Sequence, residues 1–223
     1  MAAHVLEGLF GGEVVTVEVD LYRDPIGELT ESEALALPRA HPDRLLEYRA
    51  GRHCARTALA RLGVHGVSIL RNEDRSPLWP RGFVGSIAHS RGDSQGWCGA
   101  VVARAADARG VGVDGELDEP LERKLWRRIL RDSEKKWLEA RERTEQGVLG
   151  KLIFCAKEAT YKCQYAVTKT FLDFADVEVT LSPETSSFRA AFARDVAPFD
   201  AGFSFEGKYA RRQGLIAAGV VLR

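Results

Sequence analysis

Two stretches far apart in the chain carry most of its chemical potential. Gly112-Val113-Asp114-Gly115-Glu116 and Phe154-Cys155-Ala156-Lys157-Glu158-Ala159-Thr160-Tyr161-Lys162 together bring three carboxylates and two lysines. Mg²⁺ gives up its waters reluctantly and is usually held by a few carboxylates plus phosphate oxygens of a substrate. An acidic trio beside lysines therefore suits a metal-bound pyrophosphate, with Asp114, Glu116 and Glu158 as the metal ligands. Mn²⁺ suits the same oxygen donors.

Those side chains need particular elements beneath them. Val111 to Glu116 reads as a strand, which sends Asp114 and Glu116 to one face, roughly 6 to 7 Å apart, with Gly115 clearing the other. Leu149, Leu152, Ile153, Ala156 and Ala159 follow helical apolar spacing, so Glu158 and Lys162 lie one turn apart on a common side. Lys157 lies about 100° around the helix from Glu158. Taken singly, an Asp-x-Glu pair can be a solvated strand edge and Glu158 with Lys162 a surface ion pair. Together, in strand and helix contexts, they make a site.

This pair of stretches resembles the signature pair of the Sfp-type 4′-phosphopantetheinyl transferases, in their enterobactin-type and actinobacterial branch. Further segments agree in order: Glu47-Tyr48-Arg49-Ala50-Gly51-Arg52-His53-Cys54-Ala55-Arg56, Pro77-Leu78-Trp79-Pro80, and Gly85-Ser86-Ile87-Ala88-His89-Ser90. The resemblance covers about residues 40 to 182. It implies an α+β fold of two similar halves related by a pseudo-twofold, residues 1–116 and 117–223, with the active site in the cleft between them. It also implies transfer of the phosphopantetheine arm of coenzyme A to a serine of an acyl or peptidyl carrier protein, releasing adenosine 3′,5′-bisphosphate.

The resemblance assigns roles to residues. His89 would meet the 3′-phosphate of coenzyme A, helped by Arg44, Arg52 and Arg71 toward the adenine end. Lys162, and also Lys157, would meet a phosphate oxygen, so Lys162 serves both binding and catalysis. Glu158 would be both metal neighbour and general base. A carboxylate beside a divalent cation has its pKa lowered, so the base role needs its second oxygen, or a metal-bound water, at the serine. Many relatives carry a hydroxyl residue where this chain has Ala88, which leaves more of the phosphate to His89 and the arginines.

Composition narrows the field. The chain has 223 residues, 45% of them hydrophobic, with 32 basic and 32 acidic side chains, so a broad nucleic-acid-binding surface is not implied. Cys54, Cys98, Cys155 and Cys163 have no disulfide or zinc spacing. Neither a membrane span nor a secretory signal is evident. A monomeric cytoplasmic protein is expected.

Glu13 to Asp20 alternates as a half-buried strand does, Thr30-Glu31-Ser32-Glu33 reads as a capping box, and Pro38 limits the helix it opens. Asp43 to Leu62 is a long amphipathic helix on which Arg56 and Arg61 read as a solvated face. Strands are expected at Ser68 to Leu70, Phe83 to Ala88, Trp97 to Arg104 and Val111 to Glu116. Helices follow at Leu121 to Leu130, Ser133 to Arg143 and Gln146 to Thr168, then strands near Val177 to Leu181, Ser187 to Ala193, Gly202 to Glu206 and Leu215 to Leu222. His53 and His65 read as structural or exposed, and Trp126 and Trp137 as core anchors. Two other readings use the same residues: a metal-dependent pyrophosphatase acting with water, and a noncatalytic coenzyme A or nucleotide sensor.

Overall fold

The alternating valines of Val14–Asp20 form β1, which pairs antiparallel with β3, Gly96–Arg104, and β3 in turn pairs with β2, Phe83–Arg91. The sheet order is β1-β3-β2. The computed structural model describes residues 4–37 and 41–223, so Pro38 lies outside the described residues. A short helix, α1, runs Glu31–Leu35 from the expected capping box, in which Thr30 Oγ1 accepts the Glu33 N–H and the Glu33 carboxylate accepts the Thr30 N–H. The long helix α2, Pro42–Arg61, starts with proline where an orphan N–H would otherwise stand. Its small buried residues Ala50, Cys54, Ala55 and Ala58 bring it close onto Val17, Val19, Ala100 and Val102 of the sheet.

Ser68 to Leu70 is not a strand. Side chains satisfy its middle residue: the wholly buried Glu33 accepts the Ile69 N–H at 2.8 Å, and Arg52 Nε donates to the Ile69 carbonyl at 2.9 Å, while the Leu70 carbonyl accepts the Leu78 N–H at 3.0 Å. Arg56 also departs from its expected solvated role, because it forms the ion pair that neutralises Glu33. Arg61 stays exposed but donates to the Thr16 carbonyl.

The second half repeats the plan on a larger scale. Its sheet contains β4 (Gly110–Leu117), β5 (Val177–Ser182), β6 (Ser187–Phe192), β7 (Ser204–Arg212) and β8 (Leu215–Leu222), in the order β4-β8-β7-β6-β5. β7 runs beyond the expected Glu206 into a tight hairpin, where Gln213 and Gly214 both take positive φ as such two-residue turns require. Helices α3 (Arg123–Ile129) and α4 (Asp132–Glu139) lead into α5, Arg143–Thr168, which crosses the sheet. The molecule is thus α+β in two halves, each a long helix on an antiparallel sheet.

β4 sits at the junction. The sequence reading ends the first half at Glu116, whereas the ladder of Gly110 to Leu117 runs entirely with β8 of the second sheet. Its other edge lies alongside β2. Two serines of β2 bridge the gap: Ser86 Oγ accepts the Val113 N–H at 3.2 Å, and Ser90 Oγ accepts the Leu117 N–H at 3.2 Å. The matching four-residue steps make β2 and β4 parallel neighbours joined by side chains in place of a backbone ladder.

Candidate active site in the cleft

Strand alternation turns Asp114 and Glu116 toward α5, and turns Gly115 toward the Trp97 ring, which occupies the space a Cβ would need. On α5, Lys151, Cys155, Glu158 and Lys162 follow i, i+4, i+7, i+11 spacing and form the stripe facing β4. The helix can approach because Gly112 sits directly under the Ala159 carbonyl, where a Cβ would collide. Lys162 Nζ donates to Asp114 Oδ1 at 2.7 Å and to the Val113 carbonyl at 3.2 Å. Glu116 accepts from Ser90 Oγ at 3.0 Å and lies 3.9 Å from Lys151 Nζ.

Electrostatics follow from this crowding. Burial, and then the neighbouring Asp114 charge, raise the pKa of both Glu116 and Glu158. Burial works against the Lys162 ammonium, but Asp114 and Glu158 outweigh it and hold Lys162 above its ordinary value. Asp114 is buried and its Oδ2 has no hydrogen-bond partner. A buried, unpartnered carboxylate oxygen beside two carboxylates that repel it fits a hard divalent cation. Among the described residues, though, no three acidic, histidine or cysteine side chains are already drawn together as a ligand cluster.

At the far end of β2, His89 faces α2. Arg44 Nη1 lies 3.1 Å from His89 Nε2 and donates to Glu47 at 3.2 Å, while His89 Nδ1 lies 3.7 Å from the same Glu47 oxygen. Burial lowers the His89 pKa, Arg44 and Lys162 add to the effect, and Glu47 opposes it. Arg52 and Arg71 stack on Tyr48, with guanidinium carbons 4.0 and 5.1 Å from its ring centre. Arg52 is buried and turns two of its donors to the Ile69 and Leu70 carbonyls, which fixes the segment after α2.

Between β2 and α5 opens a cavity of about 530 Å³, whose walls include Lys162 but none of Arg44, Arg52, Arg71 and His89. Trp79, Gly85 and Ser86 line it from the first half, and Tyr161, Lys162 and Tyr165 from the second. Tyr165 donates its hydroxyl to Asp74 at 2.8 Å and so links the two halves over the cavity. Lys162 touches both this space and Asp114.

Lys157 is the expected site residue that the structure removes. Its ammonium is buried and donates to the Ile129 and Phe174 carbonyls, both at 2.9 Å, and to Glu134 at 2.8 Å. Those three bonds exhaust its donors away from the cleft. The 100° step from Glu158 carries it around the helix to α3 and α4. Ser90 and Lys151 were missed in the sequence; strand alternation from His89 and the seven-residue step back from Glu158 were the signals that could have found them. His53 is structural, accepting the Gly27 N–H, and the four cysteines are free and buried.

Fold and site together define a two-half α+β protein at whose junction Asp114, Glu116, Glu158 and Lys162 face one another, with Arg44 and His89 at the end of β2. Residues 31–103 match the 4′-phosphopantetheinyl transferase N-terminal domain, and residues 110–211 match the 4′-phosphopantetheinyl transferase superfamily. The chain is 36% identical over 203 residues to the 4′-phosphopantetheinyl transferase Svp of Streptomyces mobaraensis, covering 89% of this chain and 80% of that one. It is 33% identical over 213 residues to the 4′-phosphopantetheinyl transferase PptT of Mycobacterium tuberculosis, covering 91% and 90%. It is also 33% identical over 142 residues to enterobactin synthase component D of Salmonella typhi, covering 59% and 56%. The chain belongs to the 4′-phosphopantetheinyl transferase superfamily. Among the described residues no helix is long and apolar enough to cross a membrane.

Proposed function

We propose that this enzyme transfers the 4′-phosphopantetheine arm of coenzyme A to a serine of an apo acyl or peptidyl carrier protein. The carrying observation is the placement of Lys162, which lines the cavity between the halves and bonds Asp114 at once. His89 and Arg44 would take the 3′-phosphate, Arg71 the adenine end, and Lys162 a pyrophosphate oxygen. Asp114, Glu116 and Glu158 would hold Mg²⁺ or Mn²⁺, which neutralises pyrophosphate charge when bound.

Burial raises the proton affinity of Glu158 in the metal-free chain, whereas a bound divalent cation would lower it, so Glu158 would receive the serine proton on the oxygen turned away from the metal or through a metal-bound water. The serine oxygen forms its bond to the phosphorus bearing the pantetheine arm. The bridging P–O bond breaks, and adenosine 3′,5′-bisphosphate leaves with the electron pair. Holding both reactants in line is the main service of such a cleft. The enzyme is read as a cytoplasmic monomer, and the balanced charge of the chain implies no broad nucleic-acid-binding surface.

Intact-mass analysis of a panel of apo carriers, incubated with coenzyme A and Mg²⁺, tests the reading. The expected result is one phosphopantetheine adduct on a carrier, lost in Asp114→Ala. Release of adenosine 3′,5′-bisphosphate without any carrier, and no adduct, would overturn it in favour of a pyrophosphatase.

A further inference from the structure

Successive residues of a strand face opposite ways, and on β2 that alternation falls on His89 and Ser90. His89 faces Arg44 and Glu47 of α2. Ser90 faces the second half, where its hydroxyl makes two bonds of different kind. Its oxygen accepts the Leu117 N–H at 3.2 Å, and its proton goes to Glu116 Oε2 at 3.0 Å. Ser90 is 9% exposed. Ser86, one four-residue step earlier, has the same relation to Val113 but returns its proton to a backbone carbonyl at 3.4 Å. Only Ser90 of the two reaches a carboxylate.

We infer that Ser90 is a positioning residue for Glu116, fixing from the first half the direction in which that carboxylate presents its free oxygen to a divalent cation. The inference rests on the reading of Glu116 as a metal-holding group. A carboxylate has two rotatable bonds beyond Cβ and, on a half-buried strand end, several ways to point. One hydroxyl donor on Oε2, with Lys151 on the same oxygen from α5, leaves Oε1 as the oxygen available to a ligand. Groups that orient metal-binding carboxylates typically contribute 10- to 100-fold in metal affinity. Because Ser90 belongs to the first sheet and Glu116 to the second, the orientation is right only while the seam between the sheets is closed. Coenzyme binding at His89 and metal binding at Glu116 thereby share one dipeptide.

The test is direct titration of Mn²⁺ into the full chain with coenzyme A present, read by calorimetry, alongside coenzyme A affinity and thermal midpoint. Ser90→Ala is expected to weaken Mn²⁺ binding about tenfold, with coenzyme A affinity within about twofold. Ser90→Thr, which keeps the hydroxyl, should recover most of the loss; Ser86→Ala should lower the thermal midpoint without changing Mn²⁺ affinity. Wild-type Mn²⁺ affinity in Ser90→Ala, or equal losses in the Ala and Thr variants, would overturn the inference. Glu116→Gln separates the two layers. If it leaves Mn²⁺ binding unchanged, the reading of Glu116 fails. If it weakens binding while Ser90→Ala does not, only the role of Ser90 fails.

Discussion

Replacing Lys157 by methionine keeps much of the side-chain volume and removes the charge. It leaves Glu134, whose side chain is 1% exposed, with only the Arg131 and Val179 N–H groups as donors, both at 2.7 Å. It also strips a donor from the Ile129 and Phe174 carbonyls. Breaking a buried ion pair from one side costs about 3–5 kcal/mol. In a chain of this length, 1 kcal/mol corresponds to roughly 2–4 °C in thermal midpoint, so Lys157→Met should lose about 6–20 °C. Burial raises the Glu134 pKa, so the stranded carboxyl takes up a proton as pH falls, and the defect should shrink at acid pH. Adding Glu134→Gln removes the stranded charge and should restore most of the midpoint. Scanning calorimetry and steady-state kinetics on both variants check this, with KM for coenzyme A expected within about twofold of wild type. An unchanged midpoint together with a tenfold higher KM would refute the reasoning and return Lys157 to the ligand.

Burial holds His89 below its ordinary pKa in the free protein, so its share of stability is complete above about pH 6.5 and falls as pH drops toward the folded value. A phosphate dianion favours the protonated ring; the His89 pKa, followed by NMR, should rise on adding coenzyme A and rise less with the analogue lacking the 3′-phosphate. Equal shifts with both ligands would separate His89 from that phosphate. Gly112→Ala places a Cβ on the Ala159 carbonyl, which forces α5 off β4 and should cost at least the roughly 3 kcal/mol at the top of the overpacking range. Chemical denaturation measures it, and wild-type stability would show that the helix can retreat without penalty.

What was legible in the sequence was local. The capping box at Thr30, the spacing of α5, and the alternation of β4 each depend on neighbours within a turn or two. Asp114, Glu116, Glu158 and Lys162 came out together because two such local patterns meet face to face. Lys157 was misplaced because its partner, Glu134, lies 23 residues earlier on another helix, and no periodicity announces that contact. The segment Ser68 to Leu70 looked like a strand by composition. Glu33 and Arg52, side chains from two different helices, take the Ile69 backbone groups, and among the described residues only the Leu70 carbonyl finds a backbone partner, the Leu78 N–H. Arg52 is expected at the coenzyme for its charge, yet it is buried and turns its Nε and Nη2 to the Ile69 and Leu70 carbonyls. The membership of β4 was equally hidden, since pairing with β8 joins residues about a hundred positions apart.

The serine seam between β2 and β4 also sets which protons can exchange with solvent as the cleft breathes. Alternate amides of β4 point toward β8 and are guarded by the second sheet, whereas the Val113 and Leu117 amides are among those that point the other way, toward β2, where Ser86 and Ser90 accept them. A small parting of the halves frees those two amides and leaves both sheets intact. Their deuterium uptake therefore runs on the clock of cleft opening and not on that of global unfolding. Any ligand that clamps the halves together slows that clock at these two positions while leaving the amides that face β8 unchanged.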